Sequence, residues 1–374
     1  MNQIWNLLQQ YFLEVAVGVG IALLAWFRVQ IWNAVTLHFT AIRRIRQAQR
    51  AIRADKPWLI RAPREKQQSP PLTIPIITIA NLKGGVGKTT ITANLAAYFA
   101  TETQSTRGAG RKRKVLVIDL DFQGSASSML LNREDRLPRP GELSDSSNLL
   151  LGQLKERDVI RARNAVAPDG VQVIPAYYDL ARTETRLQLQ WMIGDERSDI
   201  RYRLRDILNA PAIQERFDLI LIDAPPRLTT ATIIALCAST HLVIPTILDI
   251  VSGEAVGSFL DQIHELRDLW PNLKFMGVIA TMVAENPALE RPLRPAEQDG
   301  ISAVVTAMEQ VYGRHNLNPP LDAMFPRSTY IVDSELIRVR SGTVFFVNLG
   351  NNAQAVAIKD VFRALGREIE QRLQ

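Results

Sequence analysis

The sequence predicts an α/β fold, a mainly parallel sheet with helices on both faces, preceded by an N-terminal hydrophobic helix. Three observations predict it. Short apolar runs at 74–80, 115–118 and 217–222 break into glycines or end in an aspartate, as strands buried on both faces do. Helical segments lie between these runs, which implies crossover connections and parallel pairing. Residues 15–27 carry no charge at all.

The N-terminal element comes first. Extended to Leu7–Phe27, the apolar run is about 21 residues, close to the ~20 that span a bilayer. Gln9, Gln10 and Glu14 interrupt its early part. About eleven Leu, Ile, Val and Phe residues favour insertion by roughly 5 kcal/mol, and an off-centre Glu14 opposes it by less than about 3 kcal/mol. Trp5, Tyr11, Trp26 and Trp32 stand where interfacial aromatics belong, and the arginine-rich run follows the apolar stretch. The positive-inside rule then places the C-terminal side in the cytoplasm. No Lys or Arg precedes the run and no small-residue cleavage site follows it, unlike a signal peptide. Ile31, Val35, Phe39, Ile42 and Ile45 continue at helical spacing, and this amphipathic face could lie on an anionic leaflet or pair with itself. The alternative is a helix packed on protein. Residues 1–56 are therefore expected to be a helical membrane anchor. Residues 57–72, with Pro57, Pro63, Pro70 and Pro71, are expected to be a linker. Residues 73–374 form the main domain.

The first strand of that domain, within Ile74–Ala80, leads into Lys83-Gly-Gly-Val-Gly-Lys-Thr-Thr90. Strand, glycines, Lys-Thr and helix in this order make a phosphate cradle. Gly84, Gly85, Val86 and Gly87 turn backbone N–H groups inward, Lys88 reaches the β/γ-phosphates, Thr89 offers its hydroxyl to Mg²⁺, and Thr90 completes the binding segment. The usual loop pattern puts a glycine at position 82, where this chain has Leu82, and a second lysine, Lys83, follows it. Two lysines in one loop crowd charge unless each has its own anion. Lys83 is therefore expected to reach a nucleotide held by a second subunit. Ile91, Leu95, Tyr98 and Phe99 give the next helix one apolar stripe, and its N-terminus points at the phosphates.

The second strand, Val115–Ile118, ends in Asp119-Leu-Asp121, at the carboxyl edge where open α/β sheets bind ligands. Alternation puts both carboxylates on one side, one to hold metal-bound water and the other to orient attacking water. The third strand, Phe217–Ile222, ends in Asp223-Ala-Pro-Pro226, which suits the acid that supports Mg²⁺. Val171–Pro175, His241–Pro245 and Phe275–Ala280 read as further strands, 132–147 as a surface loop, 101–114 as a flexible basic loop, and Ile358–Ile369 as an amphipathic closing helix.

Together these stretches resemble the ParA/MinD family of deviant Walker ATPases, over roughly residues 74–373. Asn81–Thr90 is similar to its phosphate loop, Asp119–Ser125 to its second motif and Ile222–Pro226 to its third. Val243–Pro245, Gly277–Met282 and Phe325–Ser328 also fit, and the partition ATPases are the nearer side of the family. The resemblance implies ATP and Mg²⁺ as cofactors and slow, partner-stimulated hydrolysis. It implies that Lys83, Lys88 and Asp121 are catalytic, with Asp121 positioning the water. Thr89, Asp119 and Asp223 would serve the metal. Leu82 and Phe122 depart from the family pattern, and Phe122 bears on how the Asp121 loop moves.

Charge narrows the partners. The net charge is +6, and residues 1–70 hold ten Lys/Arg against three acids, so the remainder is near neutral at −1. Global charge gives the main domain no argument for DNA, although a local patch can still bind it. The single cysteine, Cys237, excludes an internal disulfide, and it and the four histidines show no metal-ligand spacing. The expected protein is an ATP-dependent homodimeric switch at the cytoplasmic membrane, positioning or partitioning DNA or other cargo. The alternative is a membrane-tethered regulatory ATPase that recruits a partner protein and has no DNA role.

Overall fold

The computed structural model describes residues 2–53, 56–64, 72–105, 110–194, 198–284, 292–320, 322–333 and 353–374, without the side chains of 2–16, 44 and 353–354. The chain divides into two compact units. One comprises Met1–Ala62 with Met192–Asp195, and the other holds the remaining residues.

In the first unit, α1 (Asn2–Arg53) is one continuous helix of 52 residues. From Val17 onward it is long and apolar enough to cross a membrane by length and composition. Trp26 and Trp32 are exposed. The side chains of Trp5, Gln9, Gln10, Tyr11 and Glu14 lie outside the described residues. Of the stretch expected to be a linker, Pro57–Leu59 forms a 3₁₀ turn with proline at its start, and Trp58 is buried. Residues 65–71, with Pro70 and Pro71, lie outside the described residues. On either side of them the chain is tied to the body of the second unit. Arg64 pairs with both carboxylate oxygens of Asp206, and Thr73 N–H donates to Gln214 Oε1 at 2.8 Å.

Among the described residues, the second unit is built on a sheet of eight strands. In chain order, β1 (Ile76–Ile79) is followed by α2 (Lys88–Glu102) and β2 (Val115–Asp119). The short helices α3 (Ser125–Leu130), α4 (Arg133–Arg136), α5 (Asp145–Leu150) and α6 (Glu156–Ile160) lead to β3 (Arg163–Asn164) and β4 (Val171–Ile174). Then come α7 (Asp179–Ile193), α8 (Arg203–Leu208), α9 (Pro211–Arg216) and β5 (Leu219–Asp223). The chain continues through α10 (Thr230–Ala238), β6 (His241–Ile247), α11 (Ile250–Glu265) and β7 (Lys274–Val283). It closes with α12 (Pro295–Arg314), β8 (Ile331–Val332) and α13 (Ala353–Leu373).

The strand order is β3-β4-β2-β5-β1-β6-β7-β8. Among the described residues, only the β3–β4 strand pair is antiparallel. Ile77, Ile79, Val115, Val117, Leu219 and Leu221 join one apolar cluster with α2 and α13. Their alternates Ile76, Leu116, Ile118, Ile220 and Ile222 are equally buried on the other face, where α10 meets β1. The strands therefore read as apolar runs because both faces are covered.

Three expectations change. α2 is buried from Ile91 to Ala100 rather than along one stripe, because α13 covers its outer side and Tyr98 Oη donates to Glu370 Oε2 at 3.1 Å. The expected surface loop 132–147 contains α4 and the start of α5, whose Ser146 and Ser147 are buried. The basic loop is partly pinned as well. Arg113 pairs with Glu370 at 3.0 Å and its Nε donates to Gln104 O, whereas Arg107 lies outside the described residues. Cys237 is a buried free thiol, and burial pushes its pKa up to about 12.

Candidate functional site

The loop after β1 is held at its root. Asn81 Nδ2 donates to Pro245 O at 2.6 Å, and its Oδ1 accepts from Lys83 N–H at 3.0 Å. A single side chain thus ties the loop to the neighbouring strand. Gly85 and Gly87 have φ of 74° and 82°, the left-handed region that a β-carbon disfavours. Gly87 is the N-cap of α2, so the chain turns there directly into the helix. Gly84 and Gly85 are exposed, while Val86 is buried and its carbonyl accepts from Thr281 Oγ1 at 3.1 Å. The result is an open arch of backbone in front of a helix N-terminus, which favours an anion.

Lys88 sits under this arch. Its side chain is buried and its Nζ donates to Lys83 O at 3.1 Å, closing the loop on itself. Burial lowers its pKa, and the charges of Asp223 and Asp121 oppose that shift. Thr89 Oγ1 donates to Asp223 Oδ2 at 2.7 Å. Thr90 is half-buried and its carbonyl accepts from Asn94 at 2.8 Å.

Asp119 and Asp223 are paired residues at the carboxyl ends of β2 and β5. Both are buried. Burial raises Asp119 to about 6. Burial, and then the neighbouring Asp119, raise Asp223 well above the usual carboxylate range, with Lys88 pulling the other way. Two buried carboxylates and one threonine hydroxyl form a hard oxygen donor set short of positive charge, which fits a small divalent cation. The two acids differ in what remains open. Asp119 Oδ2 accepts from Ser127 N–H at 2.8 Å and from Ser127 Oγ at 2.7 Å, and its Oδ1 accepts from Asp121 N–H at 3.1 Å. Asp119 therefore braces the turn that follows it, while Asp223 faces Thr89.

Asp121 lies beyond the strand end and is half-buried. Its Oδ1 accepts from Gln123 N–H at 3.0 Å, and its carbonyl accepts from Gly124 N–H at 2.8 Å. The turn needs Gly124 on two grounds. Its φ is 61°, and a β-carbon there would stand 2.8 Å from Ala176 O.

Lys83 does not point into the arch of its own loop. Its Nζ donates to Ser252 Oγ at 2.6 Å and lies 3.4 Å from Asp249 Oδ2. Asp249 is the N-cap of α11, accepting from Ser252 N–H at 2.7 Å. Burial pushes Asp249 up, but the Ser252 bonds and Lys83 outweigh it and its pKa is lowered.

Every site residue singled out from sequence thus falls at one edge of the sheet. Sequence reasoning missed Asp249, Ser252, Ser127 and Glu184. Glu184, on α7, is buried and accepts from Thr229 Oγ1 and, at 2.8 Å, from Ala231 N–H. It caps α10 from outside, and the charge of Asp121 reaches it. The Asp-x-x-Ser capping pattern at 249–252 was legible, whereas nothing local marks Glu184.

This geometry can be set beside known proteins. The family described as an AAA domain matches residues 74–276, just over half of the chain. The chain is 35% identical over 208 residues to the chromosome-partitioning ATPase Soj of Thermus thermophilus, covering 55% of this chain and 68% of that protein. The chain belongs to the ParA/MinD family of P-loop ATPases. Solved structures agree in fold. An ATP complex of McdA from Cyanothece superposes with a TM-score of 0.57 at 22% identity, covering 78% of this chain and 96% of that one. Cobyrinic acid a,c-diamide synthase from Mycobacterium smegmatis, with a bound ATP analog and magnesium, gives 0.55 at 24% identity, covering 80% and 96%. In this ParA/MinD-family chain the matched region begins just before β1 and runs into β7, so it contains all three motifs.

Proposed function

We propose that this protein is an ATP-driven switch that binds ATP with Mg²⁺, closes as a homodimer around it, and reopens on hydrolysis. The observation that carries this reading is the alignment of Lys88, Thr89 and Asp223 beneath an open glycine arch. Gly84–Gly87 and the first N–H groups of α2 hold the phosphates, and Lys88 neutralises the β/γ-phosphates. Thr89 and Asp223, supported by Asp119, would hold Mg²⁺, which would screen phosphate charge. Asp119 fixes the turn through Ser127 and so sets where Asp121 stands. Asp121 orients the attacking water, and that step stays slow until a partner or second subunit completes the site. Lys83 leaves Asp249 and Ser252 to reach the partner's nucleotide.

Membrane attachment through α1 belongs to the same proposal, with the ATPase unit in the cytoplasm. The likeness to Soj supports a cargo of DNA or another large particle. The second reading, a tethered regulatory ATPase that recruits a protein, is favoured by α1 itself, since it presents exposed apolar residues from Val17 to Phe39.

The test uses the full-length protein. Retention of labelled ATP with millimolar Mg²⁺, lost in Lys88→Ala, is the expected result, and failure to retain it would overturn the nucleotide reading. Membrane fractionation with and without ATP, beside a deletion of 1–56, tests the anchor separately. ATP-dependent, salt-sensitive DNA binding separates the two cargo readings.

A further inference from the structure

One face of α1 repeats with a seven-residue period. Leu24, Ile31, His38, Ile45 and Ile52 recur every seven residues, and Arg28, Val35, Ile42 and Gln49 form a second row four residues after each of the first four. Together they make one seam along an unbroken helix, apolar at most positions from Ile31 to Ile52. Among the described residues the seam is left largely uncovered. Leu24 is 73% exposed, Ile31 58%, Ile45 57% and Ile52 53%.

A period of 3.5 residues matches another helix wound against this one, not a flat surface. We infer that residues 31–52 of α1 pair with the same segment of a second copy of this chain as a parallel two-stranded coiled coil, without nucleotide. Three features select that occupant. Val35 and Ile42, β-branched, occupy the row that favours two strands when the helices are parallel. Gln49 stands in the same row. In a parallel, in-register pair it meets its own copy, and two amides can each donate and accept across the seam. His38 in the other row likewise meets its own copy, and polar groups inside a seam fix register and strand number at some cost in stability, against the isoleucines, which alone would admit more strands. The flanks give the third feature. Ala34, Ala41 and Ala48 line the seam on one side, and Trp32, Phe39, Arg46 and Arg53 on the other. In a parallel pair the two flanks meet each other, so arginine faces alanine and no like charges collide. In an antiparallel pair Gln49 would lose its matching amide.

The pairing goes beyond the proposed ATP cycle, but it alters that cycle if both hold. Two ATPase units joined by their leaders close on ATP as an intramolecular event, at an effective concentration set by the tether. Nucleotide would then open and close a standing dimer rather than assemble one from monomers.

The test is cysteine cross-linking of full-length protein in detergent micelles, without nucleotide. Ile45→Cys and Ile52→Cys, in the seam, are expected to form disulfide dimers nearly completely. Thr40→Cys and Gln47→Cys, on the opposite face, are expected to cross-link at least tenfold less. Equal cross-linking at all four positions, or none at any, would overturn the pairing. Ile42→Asp with Ile45→Asp should convert the nucleotide-free dimer to monomer by light scattering. If that variant stays dimeric, or loses only its flotation with phosphatidylglycerol vesicles, the face serves lipid and the inference is wrong. A trimer or tetramer of the unsubstituted chain in the same measurement would overturn the two-stranded form. None of these readouts needs ATP, so they stand or fall apart from the ATPase reading.

Discussion

Lys83 and Asp249 are 166 positions apart in the sequence, yet their charged atoms lie 3.4 Å apart at the mouth of the phosphate loop. Ser252 shares the contact, taking the Lys83 ammonium at 2.6 Å. The lysine proposed to serve a partner subunit is thus held by its own chain, in a pair exposed enough to open. Both side chains are more than one-third exposed, so the pair adds little to stability and its release is cheap.

Lys83→Ala should leave ATP binding within about twofold and abolish ATP-dependent closure of the dimer. Light scattering with and without ATP checks this in the 1–56 deletion, where the proposed leader pairing cannot mask it. Normal ATP-dependent dimerisation of that variant would remove the trans role of Lys83.

Asp249→Ala should act in the opposite direction on closure, because Lys83 loses its resting partner. It also removes the cap of α11, which costs about 1 kcal/mol of stability. A lower protein concentration for half-maximal dimerisation, together with a slightly lower Tm, is the expected pair of results.

Asp121→Ala should keep ATP affinity and slow hydrolysis by about 10²–10⁴-fold. The ATP-bound dimer should then persist. Single-turnover hydrolysis and nucleotide-retention assays on the same preparation measure the two effects.

Glu184 ties α7 to the start of α10, in the segment after Asp223, within reach of the charge of Asp121. Glu184→Ala leaves Ala231 N–H and the Thr229 hydroxyl without this acceptor, which should cost about 1–3 kcal/mol. It should also lower kcat about tenfold or more with ATP affinity unchanged, since small misplacements near the chemistry are expensive. Glu184→Gln keeps one acceptor oxygen and should recover most of both losses. If Gln and Ala behave alike, the effect is not one of positioning.

His241 supplies a pH dependence. Burial, and then Lys274, lower its pKa to about 4. Its Nε2 is buried without a hydrogen-bond partner among the described residues. The folded state therefore favours the neutral ring. Its contribution is fully present above the unfolded value near 6.5 and is lost as pH falls toward 4. Stability should drop by about 2 kcal/mol across that window, allowing for partial screening. His241→Phe should flatten this part of the curve in urea titrations at pH 7 and pH 4.5.

The sequence alone determined the phosphate loop, the strands that end in Asp119 and Asp223, and the uncharged apolar run at 15–27. Each is encoded within a short stretch, where glycine φ, strand burial on both faces and helical period leave a local trace. β3 left none, since Arg163–Asn164 pairs for only two residues at a sheet edge. Tertiary structure alone decided that Lys83 rests on Asp249 and Ser252, that Asp119 spends its oxygens on Ser127 and Asp121, and that Glu184 caps a helix 47 residues away. It also decided that α2 is buried all round, because α13 returns from the far end of the chain to cover it. Strand order sets which distant residues meet, and no local pattern encodes strand order.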